Sequence, residues 1–312
     1  MSSCHTTLKD FHNVPSKYST KPPLSCSIDK NSSTILLSHA GETEVNFLKR
    51  TILGKGGYIR NGVRLDKSSV VLDAGGNIGA FGLSCILDHQ CQRVISFEPS
   101  PPVYHALKEN ADKFSTNTHQ WDVFRAGLGA SRNVSTFSHF IHCTLWSGFD
   151  PNNEEKSIEY QMEMARSVLE RESPQKMKEA EIKLRNLFKK LHQTAPYQCD
   201  IFPLSEVIEY LKLTKISLLK IDVEKAELDV LLGLTNESWE IIDQVVMEIH
   251  DEDGKLDKII ELLRKNKFQT IVVERTPSPW FMLYAAGICE SPPQIPKEKD
   301  RSVMVDLWAT KK

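Results

Sequence analysis

Residues 70–99 read V-V-L-D-A-G-G-N-I-G-A-F-G-L-S-C-I-L-D-H-Q-C-Q-R-V-I-S-F-E-P, and the fold of the chain follows from this stretch. Residues 69–72 are a short run with β-branched Val70 and Val71, as expected of a strand buried on both faces. The run stops at Asp73 and enters glycines at Gly75, Gly76 and Gly79, which let the backbone turn tightly and approach a ligand. From Ile78 the pattern turns helical, with Ile78, Phe81 and Cys85 to one side, and a second apolar run, 94–97, ends in Glu98. Strand, glycine turn, helix, strand, acid is the layout of a nucleotide-binding βαβ unit. In it the helix N-terminus faces the ligand, and the acid accepts hydrogen bonds from both ribose hydroxyls.

The glycine spacing separates two ligands. A dinucleotide site uses G-x-G-x-x-G, with a pyrophosphate at the helix N-terminus. Here the turn is D-x-G-x-N-x-G (Asp73, Gly75, Asn77, Gly79), which puts a carboxylate at the strand end. That suits a ligand with a cationic amino-acid end, such as S-adenosylmethionine (SAM), better than a diphosphate.

The 312 residues have room for one large α/β domain with additions, and a net charge of −2 gives no basic footprint for nucleic acid. No apolar run approaches the roughly 20 residues of a membrane span, and the N-terminus lacks a signal peptide's apolar centre. The seven cysteines (Cys4, Cys26, Cys85, Cys91, Cys143, Cys199, Cys289) are odd in number and show no CxxC spacing. They read as reduced thiols of a cytoplasmic protein, not a disulfide framework, and no metal site is assigned.

Residues 1–37 are rich in Ser, Thr, Lys and Pro and read as a mostly disordered leader, with Phe11, Tyr18 and Leu24 as docking residues; the domain proper then runs over 38–312. Val45, Leu48 and Ile52 share a helical face, and the glycine-broken basic stretch after it (Tyr58, Arg60) covers the open edge of the site or contacts its ligands. A helix is expected over 101–114 and a strand over 121–125, running into the small residues Ala126 and Gly127, which can back an adenine ring. Asp122 is a solvated strand residue or a contact to the base.

Residues 139–200 break the alternation of strands and helices. An aromatic loop bearing His139, His142 and Trp146 is followed by two charged helices with single apolar stripes, Ile158-Met162-Ala165-Leu169 and Met177-Leu184-Phe188-Leu191, the second interrupted by Glu181. Beside a ligand-binding sheet edge such a hairpin is a lid or an oligomer contact, and the lid is preferred. The core resumes with a helix over 203–211, a strand over 216–224 ending in Asp222, a helix over 226–234, a strand over 243–249 followed by His250, a helix over 256–266 and two final strands, 268–274 and 302–310. Between those two lies a proline-rich connection with an apolar patch, 280–284, suited to a substrate entrance.

In an open parallel sheet, ligands bind at the carboxyl ends of the strands. Those ends carry Asp73, Glu98, Ala126, Asp222, Glu248 and His250, an acid-rich set that suits the sulfonium and ammonium charges of SAM. The stretches V-V-L-D-A-G-G-N-I-G-A-F (70–81), V-I-S-F-E-P (94–99), L-L-K-I-D-V-E-K-A-E-L-D-V-L (218–231) and V-V-M-E-I-H (245–250) resemble the FkbM-type class I SAM-dependent methyltransferases over roughly residues 42–312. One departure is Lys225, where the family's pattern usually has Gly. The resemblance implies a doubly wound, seven-stranded, mostly parallel Rossmann-like sheet with an antiparallel last strand. It further implies that Asp73, Gly75, Asn77 and Gly79 shape the SAM site, that Glu98 binds the ribose, and that Asp222 lies near the transferred methyl group. The family mostly methylates oxygen on sugars, polyketides and other small metabolites.

The expectation is therefore methyl transfer from SAM to a hydroxyl or carboxyl oxygen of a small molecule. His250, taken as a neutral imidazole, is expected as the base, with Asp222 and Glu248 orienting it or the substrate. Two other readings are a SAM-binding pseudo-enzyme or interaction module, and an NAD-dependent oxidoreductase, against which Asn77 speaks.

Overall fold

Strands β3 (Val70–Ala74), β4 (Arg93–Phe97) and β5 (Gln120–Phe124) lie side by side in parallel, and β9 (Leu218–Ile221) and β10 (Gln244–His250) extend the sheet from the other edge of β3. The structure is a computed structural model that describes residues 7–13, 24–30, 33–39, 57–149, 174–251, 253–275 and 304–311, with single positions between 155 and 166. The sheet is completed by β11 (Thr270–Arg275) and β12 (Met304–Thr310), in the order β11-β12-β10-β9-β3-β4-β5. Only β12 runs against its neighbours. This is the doubly wound, seven-stranded sheet the sequence implies, and the strand order reverses at β3, where a ligand crevice belongs.

Successive residues of each strand point to opposite faces, so Val71, Val94, Val123, Leu218 and Val246 join one core while Leu72, Ile95, Phe124, Leu219 and Val245 join another. The first core is covered by α1 (Ala80–Leu87) and α2 (Pro101–Phe114), through Phe81, Leu83, Val103 and Leu107. The second is covered by α4 (Leu204–Leu211), α5 (Glu227–Leu232), α6 (Asn236–Glu240) and α7 (Lys255–Lys265), through Val207, Val230, Trp239 and Ile259. Each fully buried Leu, Ile or Phe contributes about 1.5–3 kcal/mol relative to exposure. Continuous apolar strands under two layers of amphipathic helices therefore have one good arrangement.

The leader is not wholly disordered. A 3-10 turn, Leu8–Phe11, buries Leu8 and Phe11 in the second core. The chain then pairs with the edge of β5: Arg125 N donates to Phe11 O at 3.0 Å and Asn13 N to Val123 O at 2.7 Å. His12 stacks on Phe124, with ring centroids 4.4 Å apart, and its Nε2 lies 3.0 Å from Asp122 Oδ1. An exposed sheet edge is a liability, and this segment covers it. Asp122 is buried and bonded to Arg93 Nε at 2.7 Å as well, so it is neither solvated nor a base contact. Strands β1 (Leu24–Lys30) and β2 (Ser33–His39) form an antiparallel hairpin, so the boundary drawn at 37/38 cuts through β2. The helical face at 45–52 and the patch at 280–284 lie outside the described residues.

The insertion is carried by a second sheet that the sequence reading did not mark. Strands β7 (Asn133–Phe140) and β8 (Thr194–Phe202) pair antiparallel, and the short β6 (Gly127–Leu128) joins β8. At the far end of this ribbon α3 (Pro174–Leu191) packs Leu184, Phe188 and Leu191 against Cys143, Ile158 and Met162. Glu181, the polar break in the stripe, accepts from Arg166 Nε at 2.7 Å. Ala165, Leu169 and Met177 lie outside the side chains described.

Candidate active site at the strand ends

A cavity of about 600 Å³, open mouth included, lies beyond the carboxyl ends of β3, β4 and β9. It is lined by Gly75 and Asn77 from the glycine turn, Glu98 after β4, Ala126 to Leu128 after β5, and Asp222 to Glu224 after β9. Of the residues expected here, Gly75, Asn77, Glu98, Ala126 and Asp222 line it, whereas Asp73, Gly79, Glu248 and His250 do not.

Each of the latter has a different place. Asp73 is wholly buried beneath the glycine turn, 3.1 Å from Lys220 Nζ and accepting from Ser96 Oγ at 2.9 Å. Its carboxylate lies beneath the turn and does not line the cavity. Burial pushes its carboxyl above the usual range, and Lys220 opposes this. Lys220 is itself 2 % exposed and donates to Gly75 O at 2.7 Å, lying 3.6 Å from Asp222 Oδ2. Burial favours the neutral amine, but Asp73 and Asp222 outweigh it and hold the ammonium above its ordinary value. Gly79 precedes α1 at φ +91° against Trp121 and Leu107. At Gly75, φ is +81° and a Cβ would meet Asp222 O at 1.7 Å, so only glycine lets the turn close onto β9.

Glu98 Oε2 accepts from Asn77 N at 3.1 Å and Oε1 from Ser100 N at 2.8 Å. Burial pushes its carboxyl up to about 7, against the pull of these two N–H groups. The insertion reaches the same corner. Asn77 Nδ2 donates to Thr144 Oγ1 at 3.1 Å, and His139 Nδ1 lies 3.0 Å from Ser100 Oγ. Burial pulls the His139 imidazole down to about 4, so it is neutral. Thr144, Leu145, Ser147 and Phe149 line the cavity, whereas His139, His142 and Trp146, the residues expected to contact substrate, do not.

Tyr58 Oη donates to Asp222 Oδ2 at 2.9 Å. Carboxylate oxygens of Asp222, Glu224 and Glu248 come within 4.8 Å of one another. Burial and this crowding raise Glu248 well above the usual carboxyl range. His250 corrects the sequence reading. Its Nε2 is 3.3 Å from Glu224 Oε2 and its Nδ1 is 3.3 Å from Glu227 Oε1. Burial alone would lower its pKa, but the two glutamates push it up to about 9. At neutral pH it is an imidazolium, and an imidazolium cannot accept a proton. Sequence reasoning missed Lys220 and Glu224, whose partners come from segments far apart in the chain.

Lys225 adopts φ +79°, a left-handed conformation that costs an L-residue about 1 kcal/mol or more. Lys225→Gly is expected to stabilise the protein by about 1 kcal/mol, raising Tm by roughly 2–4 °C in a thermal melt. An unchanged or lower Tm contradicts this.

A doubly wound sheet with a glycine turn, a buried acid after the second strand and an acid-walled cavity defines a nucleotide-binding protein of the class I methyltransferase type. The chain belongs to the FkbM methyltransferase family: the Methyltransferase FkbM domain matches residues 73–270. It is 34% identical over 247 residues to "31-O-demethyl-FK506 methyltransferase FkbM" of Streptomyces tacrolimicus, covering 79% of this chain and 89% of that one. It is 28% identical over 246 residues to "Methyltransferase 1" of Beauveria bassiana, covering 78% and 88%. Among solved structures it is similar to methyltransferase FkbM from Methylobacillus flagellatus KT, with TM-score 0.45 and 16% identity over 81% of this chain and 46% of that one.

Proposed function

We propose that this protein transfers the methyl group of SAM to a hydroxyl or carboxyl oxygen of a small metabolite. The observation that carries the reading is the acid-walled cavity at the strand-order reversal, with Glu98 held by two backbone N–H groups. Such a wall suits a cationic ligand and opposes a pyrophosphate, which counts against NAD. Glu98 is assigned to the ribose, Gly75 and Asn77 to the backbone approach, Ala126 and Leu128 to the adenine side, and Asp222 to the end where the methyl group lies. SAM supplies a methyl carbon already activated by its sulfonium charge. The protein's own task is to align the acceptor, exclude water and remove a proton. The relative named for 31-O-demethyl-FK506 supports an oxygen acceptor on a small natural product. No described helix is long and apolar enough to cross a membrane, and the buried cysteines Cys85, Cys91, Cys143 and Cys199, none of them in a disulfide, fit the cytoplasm.

Incubating the protein with methyl-labelled SAM and fractionated metabolite extracts should label one small-molecule product through oxygen. SAM binding with no transfer to any fraction would favour the interaction module instead. The insertion is read as a lid, because Thr144, Leu145 and Phe149 already wall the cavity. Replacing residues 150–191 by a short glycine–serine linker is expected to spare SAM binding and lower turnover at least tenfold. Retained turnover with dissociation of a dimer in light scattering would assign the insertion to an oligomer contact.

A further inference from the structure

His250 does not line the cavity, so a group that does must take the acceptor's proton. Three acids line it. Both oxygens of Glu98 accept backbone N–H groups on the ribose side, and Asp222 accepts from Tyr58 while lying 3.6 Å from the Lys220 ammonium. Glu224 is placed differently. It stands on a turn whose two residues, Glu224 and Lys225, both have positive φ, +50° and +79°. The turn is pinned from beneath by the fully buried Glu227, which accepts from Lys225 N at 2.6 Å and from Lys255 Nζ at 3.0 Å. Lys255 Nζ also donates to Lys225 O at 2.6 Å, so the turn is held through both an N–H and a carbonyl. Strained backbone over-determined in this way is characteristic of functional sites. From the insertion, Gly148 closes over Glu224, since a Cβ there would sit 3.1 Å from both Glu224 Cβ and Glu224 O.

We propose that Glu224 is the catalytic residue that accepts the acceptor's proton, and that His250 is the positioning residue that aims it, which rests on the reading of the site as methyl transfer to oxygen. His250 spans Glu224 Oε2 and Glu227 Oε1 at 3.3 Å each, so the rigid base beneath the turn also fixes the carboxylate above it. The step balances. The acceptor's oxygen forms a bond to the methyl carbon as the carbon–sulfur bond breaks, with its electron pair leaving on sulfur. The hydroxyl proton passes to Glu224 and then to water. The charged groups facing Glu224 are Asp222 and Lys225 on its own turn, Glu227 on α5, and Glu248 and His250 on β10. Burial first, then Asp222 and Glu227, push its carboxyl up to about 8 against the pull of His250 and Lys225. A base of that strength is matched to proton transfer near neutrality. Turnover therefore rises with pH through about 8 as Glu224 ionises, and falls above about 9 as His250 loses its proton.

The test compares the unaltered protein with Glu224→Gln, Glu224→Asp and His250→Gln. Calorimetry with SAM is expected to give affinities within about twofold for all four. Infrared titration of protein labelled with ¹³C-glutamate is expected to show a carboxyl ionising near pH 8 that Glu224→Gln lacks. In His250→Gln the same group should ionise at higher pH, because a cation beside it is gone. With the acceptor found by methyl labelling, Glu224→Gln should lose at least about 100-fold in turnover, Glu224→Asp should recover part of it, and His250→Gln should move the pH profile upward. Full turnover in Glu224→Gln, or no ionisation between pH 7 and 9 that Glu224→Gln removes, overturns the proposal and leaves methyl transfer standing. Failure of the unaltered protein to bind SAM overturns both.

Discussion

Lys220→Met is expected to destabilise the protein by about 3–5 kcal/mol, because it leaves the buried Asp73 carboxyl without its partner. Asp73 has no exposed surface and Lys220 is the cation 3.1 Å from it, so water cannot replace the lost contact. The same substitution removes the donor to Gly75 O that ties β9 to the glycine turn. A thermal melt should show Tm lowered by roughly 2–4 °C per kcal/mol. The loss depends on pH with a definite sign. The Asp73 carboxyl already lies above its ordinary value through burial and goes higher without Lys220, so the penalty shrinks as pH falls and protonation of Asp73 is favoured. Adding Asp73→Asn should recover part of the stability by removing the charge. A single variant as stable as the unaltered protein refutes this account of the pair.

Glu98→Ala is expected to weaken SAM binding by about 2–3 kcal/mol, roughly 30- to 150-fold, measured by calorimetry. On the proposed assignment the alanine removes the acceptor for two ribose hydroxyls, and it frees Asn77 N and Ser100 N, which Glu98 now holds. Glu98→Gln isolates the charge. The ionised carboxylate is the better acceptor, and burial lifts its pKa to about 7, so SAM affinity should fall as pH drops through that value. In Glu98→Gln, where nothing titrates, that pH dependence should flatten. Tight binding of NAD with none of SAM would refute the cofactor assignment.

The sequence by itself determined the architecture. Runs such as 70–72, 94–95 and 245–247 are apolar at every position, which a chain tolerates only in strands covered on both faces. The glycines after Asp73 and the acid at Glu98 belong to a tight turn and a strand end, local features of a short stretch, so they were legible residue by residue. The docked leader and the β7–β8 ribbon were not legible. Phe11 and His12 acquire meaning only against Phe202 and Phe124, and residues 133–140 alternate too weakly to announce a strand.

Tertiary structure alone decided the roles of the acids. Asp73, Glu98, Asp222, Glu224 and Glu248 look equivalent in a sequence, since each follows or ends an apolar run. Lys220 sends Asp73 beneath the site, backbone N–H groups orient Glu98, and Tyr58 engages Asp222. His250 was read as a neutral base from its own pKa, but Glu224 on the turn after β9 and Glu227 on α5 flank it and push its pKa up to about 9. Charge state in a pocket is set by burial and by neighbours distant in the chain, and sequence spacing carries neither.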